Sequence, residues 1–256
     1  MERTKDIAGF VEFEYGKNLV IEPSERFIHV RERLLDVVGT YHPGVIVKAG
    51  VGRGDLLLAL AEASDAQVVV VDYSFECIKR FKQANSGNKA LEKIYFIVGA
   101  FESFPIDYYA ADLLVSVDYF DFVETGAVID EFRRSLQFDG VLFISAEVLS
   151  DEDLDGVYDE FMAALFPLHN DMYLQSDMKT FLTLNEFKFI KGDASSFTAD
   201  SGKLVEHYAS FSPVDRGAVR DFMEAHRETL ESLYGLRDGS MNVPYFIGVF
   251  MREKIK

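Results

Sequence analysis

The stretch "VIVKAGVGRGDLLLAL", residues 45–60, decides the fold that the sequence predicts. A short apolar run ends at Lys48, glycines stand at Gly50, Gly52 and Gly54, and a leucine-rich helical pattern follows directly. Glycine lets the backbone turn tightly and leaves bare amides at the helix start, where the helix dipole favours an anionic group. The pattern predicts a strand, a ligand-binding loop and a helix, although a purely structural turn would have the same glycines.

From His42 onward, short apolar runs alternate with helical patterns. Runs without alternation, such as "VVVV", are typical of strands buried on both faces, and strict strand–helix alternation predicts a doubly wound parallel sheet. No crossover pattern precedes the closing strand, so we expect it to be antiparallel. The predicted strands are 45–49, 67–72, 94–98, 112–117, 140–146, 186–192 and 243–252. The predicted helices are 6–16, 22–39, 53–63, 74–85, 125–137 and 214–235.

No internal repeat or low-complexity linker divides the chain, which predicts one domain over residues 1–256. Within it we expect an N-terminal helical cover (1–40) and a cofactor-binding core (41–150). An aromatic-rich helical insertion (151–185) and C-terminal strands with a helical insert (186–256) complete the chain.

Composition narrows the function. The formal net charge is −17, from 26 lysines and arginines against 43 acidic residues. Nucleic-acid binding relies on lysine and arginine to replace counterions, so this charge disfavours a nucleic-acid partner and suits a small molecule. No apolar run is long enough to cross a membrane, no signal-peptide core is present, and Cys77 is the single cysteine. We therefore expect a cytoplasmic protein without a membrane partner; the sequence does not predict its oligomeric state.

Asp72 ends the second predicted strand, 18 residues after Gly54. An acid at this place can accept hydrogen bonds from the ribose hydroxyls of a nucleoside. The alternative is a solvated acid at a strand end. Ser74 is placed to cap the following helix.

Four stretches give the chain its resemblance to a known family: "KAGVGRG" (48–54), "VDYSFE" (71–76), "VGAFESFPI" (98–106) and residues 112–145. With them, the chain resembles the class I S-adenosylmethionine-dependent methyltransferases over residues 41–150 and again over the last two strands. The resemblance implies a mainly parallel seven-stranded sheet with an antiparallel last strand and helices on both faces.

The resemblance also implies S-adenosylmethionine as the cofactor, with its adenine near Tyr73 and the 99–101 turn. The chain departs from the family at Lys48, where an acid is usual, and at Ala100, where an aspartate is common. The candidate cofactor-binding residues are Lys48, Gly50, Gly52, Gly54, Asp72, Tyr73, Gly99, Ala100, Phe101 and Asp118.

The candidate catalytic residues are Asp118, Tyr119 and Asp121, which follow the fourth predicted strand. Ligands of open α/β sheets bind at the carboxyl ends of the strands. An acid there can orient or deprotonate an amine or hydroxyl nucleophile, whereas the structural alternative is a helix cap or a solvated acid. Glu147, after the fifth strand, is a weaker candidate of the same kind.

An acidic run, "DEDLDGVYDEFM" (151–162), matches the spacing of a calcium-binding EF-hand loop at five positions. Met162 stands where such a loop needs a bidentate glutamate, and an acidic helix start explains the run without metal. We therefore predict no metal site.

These patterns predict a methyltransferase that acts on a small molecule. Two alternatives stay open. One is a degenerate member of the fold that binds the cofactor, or a related nucleoside, without catalysis. The other is a nicotinamide-dependent oxidoreductase, which Asp55 at the third position of the dinucleotide fingerprint disfavours.

Overall fold

The computed structural model describes residues 2–17 and 24–254. Over these residues, seven strands form one sheet in the order β3-β2-β1-β4-β5-β7-β6. The first five strands pair in parallel, and β7 is antiparallel to both β5 and β6. The predicted fold, with its antiparallel last strand, is confirmed. The strands are β1 Val45–Ala49, β2 Gln67–Asp72, β3 Ile94–Val98, β4 Ala111–Val117, β5 Leu136–Glu147, β6 Phe187–Asp200 and β7 Ser240–Arg252.

Ten α-helices surround the sheet within the described ranges. They are α1 Glu2–Lys17, α2 Ser24–Tyr41, α3 Asp55–Ala63, α4 Phe75–Ala84, α5 Thr125–Ser135, α6 Val157–Leu165, α7 Gln175–Leu184, α8 Ser201–Phe211, α9 Arg216–Ala225 and α10 Arg227–Tyr234. The predicted first turn of α2 includes residues 22 and 23, which lie outside the described residues. As predicted, Ser74 caps α4, because its hydroxyl oxygen accepts a hydrogen bond from the Cys77 amide at 3.1 Å.

The C-terminal part departs most from the prediction. The single helix predicted over 214–235 is two helices, α9 and α10, which meet at His226. Helix α8 was not predicted, and β6 continues to Asp200 rather than ending near 192. The second half of β6 pairs with β7 residue by residue, so tertiary pairing extends a segment whose own strand preference is weak.

The sheet brings several strand ends together. Because β1, β2, β4 and β5 are parallel, their carboxyl ends share one edge, where Lys48, Asp72, Asp118 and Glu147 lie at or beside the strand termini. No helix among residues 2–17 and 24–254 has the length and apolar character needed to cross a bilayer.

Candidate cofactor and substrate site

A cavity of about 760 Å³ opens at this edge of the sheet. Seven of the predicted site residues line it: Lys48, Gly52, Asp72, Asp118, Tyr119, Asp121 and the weaker candidate Glu147. Helix α1 supplies part of the opposite wall through Phe10, Glu14 and Tyr15. The volume is large enough for a drug-sized ligand, and these residues surround that one space.

Polar contacts attach α1 beside this cavity. The Ser74 hydroxyl donates to a Glu12 carboxylate oxygen at 2.6 Å, and the His207 ring nitrogen Nε2 contacts the Glu14 carboxylate. Phe10 adds an apolar contact, with its ring centroid 4.3 Å from that of Phe166. The cavity wall therefore depends on the docking of the N-terminal helix.

The three glycines of the loop all have positive φ, at +70° for Gly50, +56° for Gly52 and +86° for Gly54. A Cβ at Gly50 would overlap the hydroxyl of Tyr119, and one at Gly54 would lie 2.6 Å from the Phe81 ring. The missing side chains at these two positions therefore admit the protein's own aromatic rings.

This geometry predicts different effects of alanine along the loop. We expect Gly50→Ala to lower the free energy of unfolding by about 2–3 kcal/mol, because overpacking adds to the strain of a positive φ. Gly52→Ala, whose Cβ would lie 3.5 Å from the Lys48 ammonium, should show only the backbone strain of about 1 kcal/mol. Urea denaturation measures both. In a Tyr119→Ala background, the cost of Gly50→Ala should be smaller than in the wild type; an equal cost would contradict the overlap.

Asp72 is 3% exposed and lines the cavity. Its carboxylate accepts hydrogen bonds from the Val51 amide at 2.7 Å and the Ser74 amide at 2.8 Å. Burial raises the pKa of this carboxyl, whereas the two amide hydrogen bonds and the nearby Lys48 lower it. Asp72 thus joins the glycine loop to the start of α4 and keeps oxygen lone pairs for a ligand.

The aromatic side chains near the predicted adenine position pack against one another. Tyr73 and Phe101 are buried with ring centroids 4.5 Å apart, and Tyr119 meets Phe101 edge-on at 4.9 Å. The Tyr73 hydroxyl donates to Glu102 at 2.7 Å. Among the described residues, Tyr73, Gly99, Ala100 and Phe101 do not line the cavity, and neither do Gly50 and Gly54.

Lys48, the first departure from the family pattern, is 1% exposed. Its ammonium donates to the carbonyl oxygens of Gly50 at 2.7 Å and Ala49 at 3.3 Å. Burial lowers the pKa of Lys48 to about 8, although the Asp72 and Asp118 carboxylates act in the opposite direction. The ammonium therefore holds the glycine loop from beneath by its carbonyl groups.

Arg53, which is exposed, also lines the cavity. Its guanidinium lies 4.2 Å from the centroid of the Phe27 ring and 3.8 Å from the Asp55 carboxylate. The loop therefore carries a cation that α2 and the start of α3 hold in place.

The residue that the sequence analysis missed is Arg26, on α2. Arg26 is 2% exposed, and its guanidinium contacts Asp118 and donates to Glu147 at 3.3 Å. The rings of Phe197 and Tyr245 flank it, each with a centroid at 5.0 Å. A signal was present, since Arg26 lies one helical turn before Val30 on the buried stripe of α2.

Asp118 has φ +60°, a backbone conformation that is uncommon for a residue other than glycine and that clusters at functional sites. This turn directs its carboxylate to Arg26 and carries Tyr119 onto the glycine loop. Burial raises the pKa of Asp118, and Arg26 partly offsets that effect.

Burial also raises the pKa of Glu147 to about 7. The pairing with Arg26 opposes this increase, and the Asp121 and Asp118 carboxylates add to it. A carboxyl whose pKa is higher in the folded state disfavours folding once ionised, so its cost grows from pH 4.5 to about 7 and stays constant above. We expect Glu147→Gln to raise the free energy of unfolding by about 1–2 kcal/mol at pH 8 and to change it little at pH 4.5.

Urea denaturation at both pH values measures this difference. The expected gain is smaller than the full pKa shift would give, because 20% of the Glu147 side chain stays exposed. Glu152→Gln, an exposed glutamate in the following loop, controls for the loss of one charge. The stability difference between Glu147→Gln and the wild type should be more favourable to the variant at pH 8 than at pH 4.5. The opposite order would contradict the effect of burial.

The sheet order, the glycine loop and the acid at the end of β2 together define the class I methyltransferase fold, as the sequence resemblance implied. Residues 47–144 match the family model described as "Methyltransferase domain". This core therefore has the class I methyltransferase fold and matches a methyltransferase domain model. A search of curated proteins gives no match.

Solved structures with the same fold cover most of the chain. The YcgJ protein of Bacillus subtilis has a TM-score of 0.76 at 15% identity, over 89% of this chain and 99% of its own. A geranyl diphosphate methyltransferase in complex with SAM has a TM-score of 0.59 at 16% identity, over 87% and 84%. The [4+2]-cyclase SpnF has 0.58 at 16%, over 86% and 80%. The methyltransferases among them, with the family match, support a methyltransferase enzyme.

The residues fit S-adenosylmethionine in part. Asp72, Gly52 and the cavity beside them supply a carboxylate, a bare loop and space for a nucleoside. The Gly50 position differs, since the Tyr119 ring takes the space that the missing Cβ leaves.

Proposed function

We propose that this protein is a methyltransferase that uses S-adenosylmethionine and acts on a small molecule held in the 760 Å³ cavity. The observation that carries the proposal is the position of Asp72. Its buried carboxylate lies at the carboxyl end of β2, touches the glycine loop through the Val51 amide and lines the cavity. The family match over residues 47–144 supports the same activity.

The cofactor, when bound, supplies a methyl group activated by a sulfonium. In the proposal, Asp72 accepts hydrogen bonds from the ribose hydroxyls. Gly52 has no Cβ, so the backbone of the loop can come close to the ligand. The ring of Tyr119 would border the adenosyl group beside Gly50. Asp118, Asp121 and Glu147 line the same cavity and serve the acceptor.

The protein's contribution to methyl transfer is alignment of the acceptor, removal of its proton and exclusion of water. Carboxylates at the end of β4 and β5 are suited to the proton step, because burial raises the pKa of Asp118 and sets that of Glu147 near 7. Aromatic residues from α1 and α6 limit solvent around them: Phe10 and Tyr158 are both buried.

Calorimetric titration of the folded protein with S-adenosylmethionine and S-adenosylhomocysteine tests the proposal. We expect both to bind, with dissociation constants in the micromolar range that is usual for enzyme ligands. Mass spectrometry of the protein as purified provides a second test, because a tightly held nucleoside would be carried along. Absence of heat with both compounds, from a sample with a cooperative unfolding transition, would end the proposal.

A protein of this fold that binds the cofactor without transferring its methyl group is the second candidate. The overlap of Tyr119 with the Gly50 position and the buried Lys48 favour it. Binding of S-adenosylhomocysteine without methylation of any acceptor pool would support this candidate. Thermal stabilisation by NAD, but not by S-adenosylmethionine, would instead support the oxidoreductase alternative. The cytoplasmic location expected from the sequence stays a prediction.

A further inference from the structure

The cavity has an apolar part beside the carboxyl end of β5. Tyr158 and Met162 lie one helical turn apart on α6, as do Leu204 and Tyr208 on α8, so each pair faces one side of its helix. Helix α6 packs against α8. With two further buried side chains of the cavity wall, these four form what we call the acceptor compartment: Phe122, Tyr158, Met162, Leu204, Tyr208 and Val243.

This compartment is built by a different part of the chain from the glycine loop. Of its six residues, only Phe122 lies within residues 47–144, which match the family model; the others come from α6, α8 and β7. Strands β1 and β4 lie between β2 and β5, so Asp72 and Glu147 are separated by three strand spacings, or about 14 Å. The cavity therefore offers a second ligand room beside Glu147, apart from the space at Asp72.

Two tyrosines of the acceptor compartment have hydroxyl groups that the protein leaves for a ligand. Tyr158 is 1% and Tyr208 9% exposed, and both line the cavity. Within the described part of the chain, neither hydroxyl makes a hydrogen bond, whereas the buried Tyr73 hydroxyl donates to Glu102. A buried hydroxyl without a partner costs free energy, and a ligand that supplies the partner removes that cost. The two hydroxyls therefore indicate where a polar atom of the ligand lies.

The same two hydroxyls lie near the carboxylate that ends β5. Burial raises the pKa of Tyr158, and the Glu147 carboxylate raises it further. Burial also raises the pKa of Tyr208, followed by the effects of Asp121 and Glu147. Glu147 lines the cavity, and its Oε1 accepts a hydrogen bond from the Arg26 guanidinium at 3.3 Å. A carboxylate has lone pairs for further hydrogen bonds, so a ligand hydroxyl can accept from the tyrosines and donate to Glu147.

The rest of the compartment suits an aromatic ring. Phe122 offers a ring face or edge, and the Met162 thioether is a favourable neighbour for an aromatic group. Leu204 and Val243 add apolar surface. The compartment thus combines an apolar wall with hydrogen-bonding groups at one place, which is the arrangement that orients a small ligand.

We propose, building on the proposed function, that the Tyr158 and Tyr208 hydroxyls bind the oxygen of the methyl acceptor, and that this acceptor is a phenol. Its ring lies against Phe122 and Met162, and its hydroxyl group donates to Glu147.

Methyl transfer to this oxygen requires loss of the hydroxyl proton. In the proposed step, the proton passes to the Glu147 carboxylate, and an oxygen lone pair forms the new bond to the methyl carbon. The carbon–sulfur bond breaks, and its electron pair goes to sulfur. The tyrosine hydroxyls donate to the oxygen while negative charge develops on it.

The acidity of the acceptor favours a phenol over an alkyl alcohol. The pKa of Glu147 is about 7. A phenol has a pKa of about 10, as tyrosine does, whereas an alkyl hydroxyl is about as weak an acid as water, whose pKa is about 15.7. Proton transfer to Glu147 is therefore far less uphill from a phenol.

Three probes of the same carbon skeleton size test the inference without turnover. With the wild type saturated with S-adenosylhomocysteine, 4-ethylphenol, its isomer 2-phenylethanol and ethylbenzene are titrated, and binding is followed by NMR. We expect 4-ethylphenol to bind about tenfold more tightly than ethylbenzene, because it gains hydrogen bonds that ethylbenzene cannot make. 2-Phenylethanol should bind more weakly than 4-ethylphenol.

Tyrosine-to-phenylalanine variants locate the effect. Tyr158→Phe and Tyr208→Phe remove one hydroxyl each and keep the ring, and each should reduce the preference for 4-ethylphenol over ethylbenzene at least threefold. Tyr95→Phe is the matched control, since Tyr95 is exposed on β3, and it should leave the preference unchanged.

The outcomes separate the two proposals. If S-adenosylhomocysteine fails to bind the folded wild type, the proposed function is wrong. If it binds but 4-ethylphenol binds no more tightly than ethylbenzene, or neither binds, the proposed function stands and this inference is wrong. Tighter binding of 2-phenylethanol than of 4-ethylphenol would overturn the assignment of a phenol. A preference that survives both Tyr158→Phe and Tyr208→Phe, in variants with wild-type unfolding transitions, would overturn the role of the two hydroxyls.

Discussion

Replacing Asp72 by asparagine is expected to weaken S-adenosylhomocysteine binding about 100-fold. The change removes the charge that strengthens every hydrogen bond to this group, and each charge-assisted hydrogen bond contributes about 1.5–3 kcal/mol. It also replaces one of the two oxygens that now accept from the Val51 and Ser74 amides. Calorimetric titration of Asp72→Asn against the wild type measures the loss.

The sheet offers a matched control for this variant. Asp112, at the amino end of β4, also accepts hydrogen bonds from two backbone amides, those of Gly44 and Val45 at 2.9 and 2.8 Å, but through a single carboxylate oxygen and at the opposite edge. Asp112→Asn removes the same charge and should leave the dissociation constant unchanged. Wild-type affinity in a folded Asp72→Asn protein would reduce Asp72 to a purely structural role.

Replacing Arg26 by methionine should have the largest effect on stability. The substitution leaves the partly exposed Asp118 and Glu147 without their shared, buried cation, and we expect a loss at the lower end of the about 3–5 kcal/mol that breaking a buried ion pair from one side costs. Urea denaturation at pH 8 measures the loss. We expect it to shrink as the pH falls from 7 to 5, because both carboxyls, whose pKa values are already raised, can then fold protonated.

Arg31→Met controls for this experiment. Arg31 lies on the same helix but is exposed, so the variant should stay within about 0.5 kcal/mol of the wild type. A loss of unfolding free energy below about 1 kcal/mol for Arg26→Met at pH 8 would show that solvent in the cavity already stabilises the two carboxylates.

The sheet could be predicted from sequence because its strands carry strong local signals. The predicted bounds of β1, β2 and β3 coincide with those observed, since continuous runs of β-branched residues end at glycine, aspartate or a turn. The sheet edge was also predictable, because parallel strands bring their carboxyl ends together. That is why Lys48, Asp72, Asp118 and Asp121 all meet at one cavity.

The departures arise where contacts distant in sequence decide the structure. The second half of β6 is a strand because β7 pairs with it. Tyr119 lies on Gly50 because the backbone turns at Asp118, which no sequence pattern announces. Arg26, which was not predicted, could have been found from periodicity, because helical spacing places it on the buried face of α2 and therefore indicates a buried cation.

The contribution of α1 to the cavity wall has a thermodynamic consequence. A molecule in the cavity would touch Phe10, Glu14 and Tyr15, so ligand binding and the docking of α1 would be thermodynamically coupled. By thermodynamic reciprocity, the free energy that the docked helix adds to ligand binding equals the free energy by which the bound ligand stabilises the docked helix. Amide hydrogen exchange along residues 2–17 would therefore slow in proportion to saturation, which makes this segment a reporter of binding for a ligand that has no chromophore.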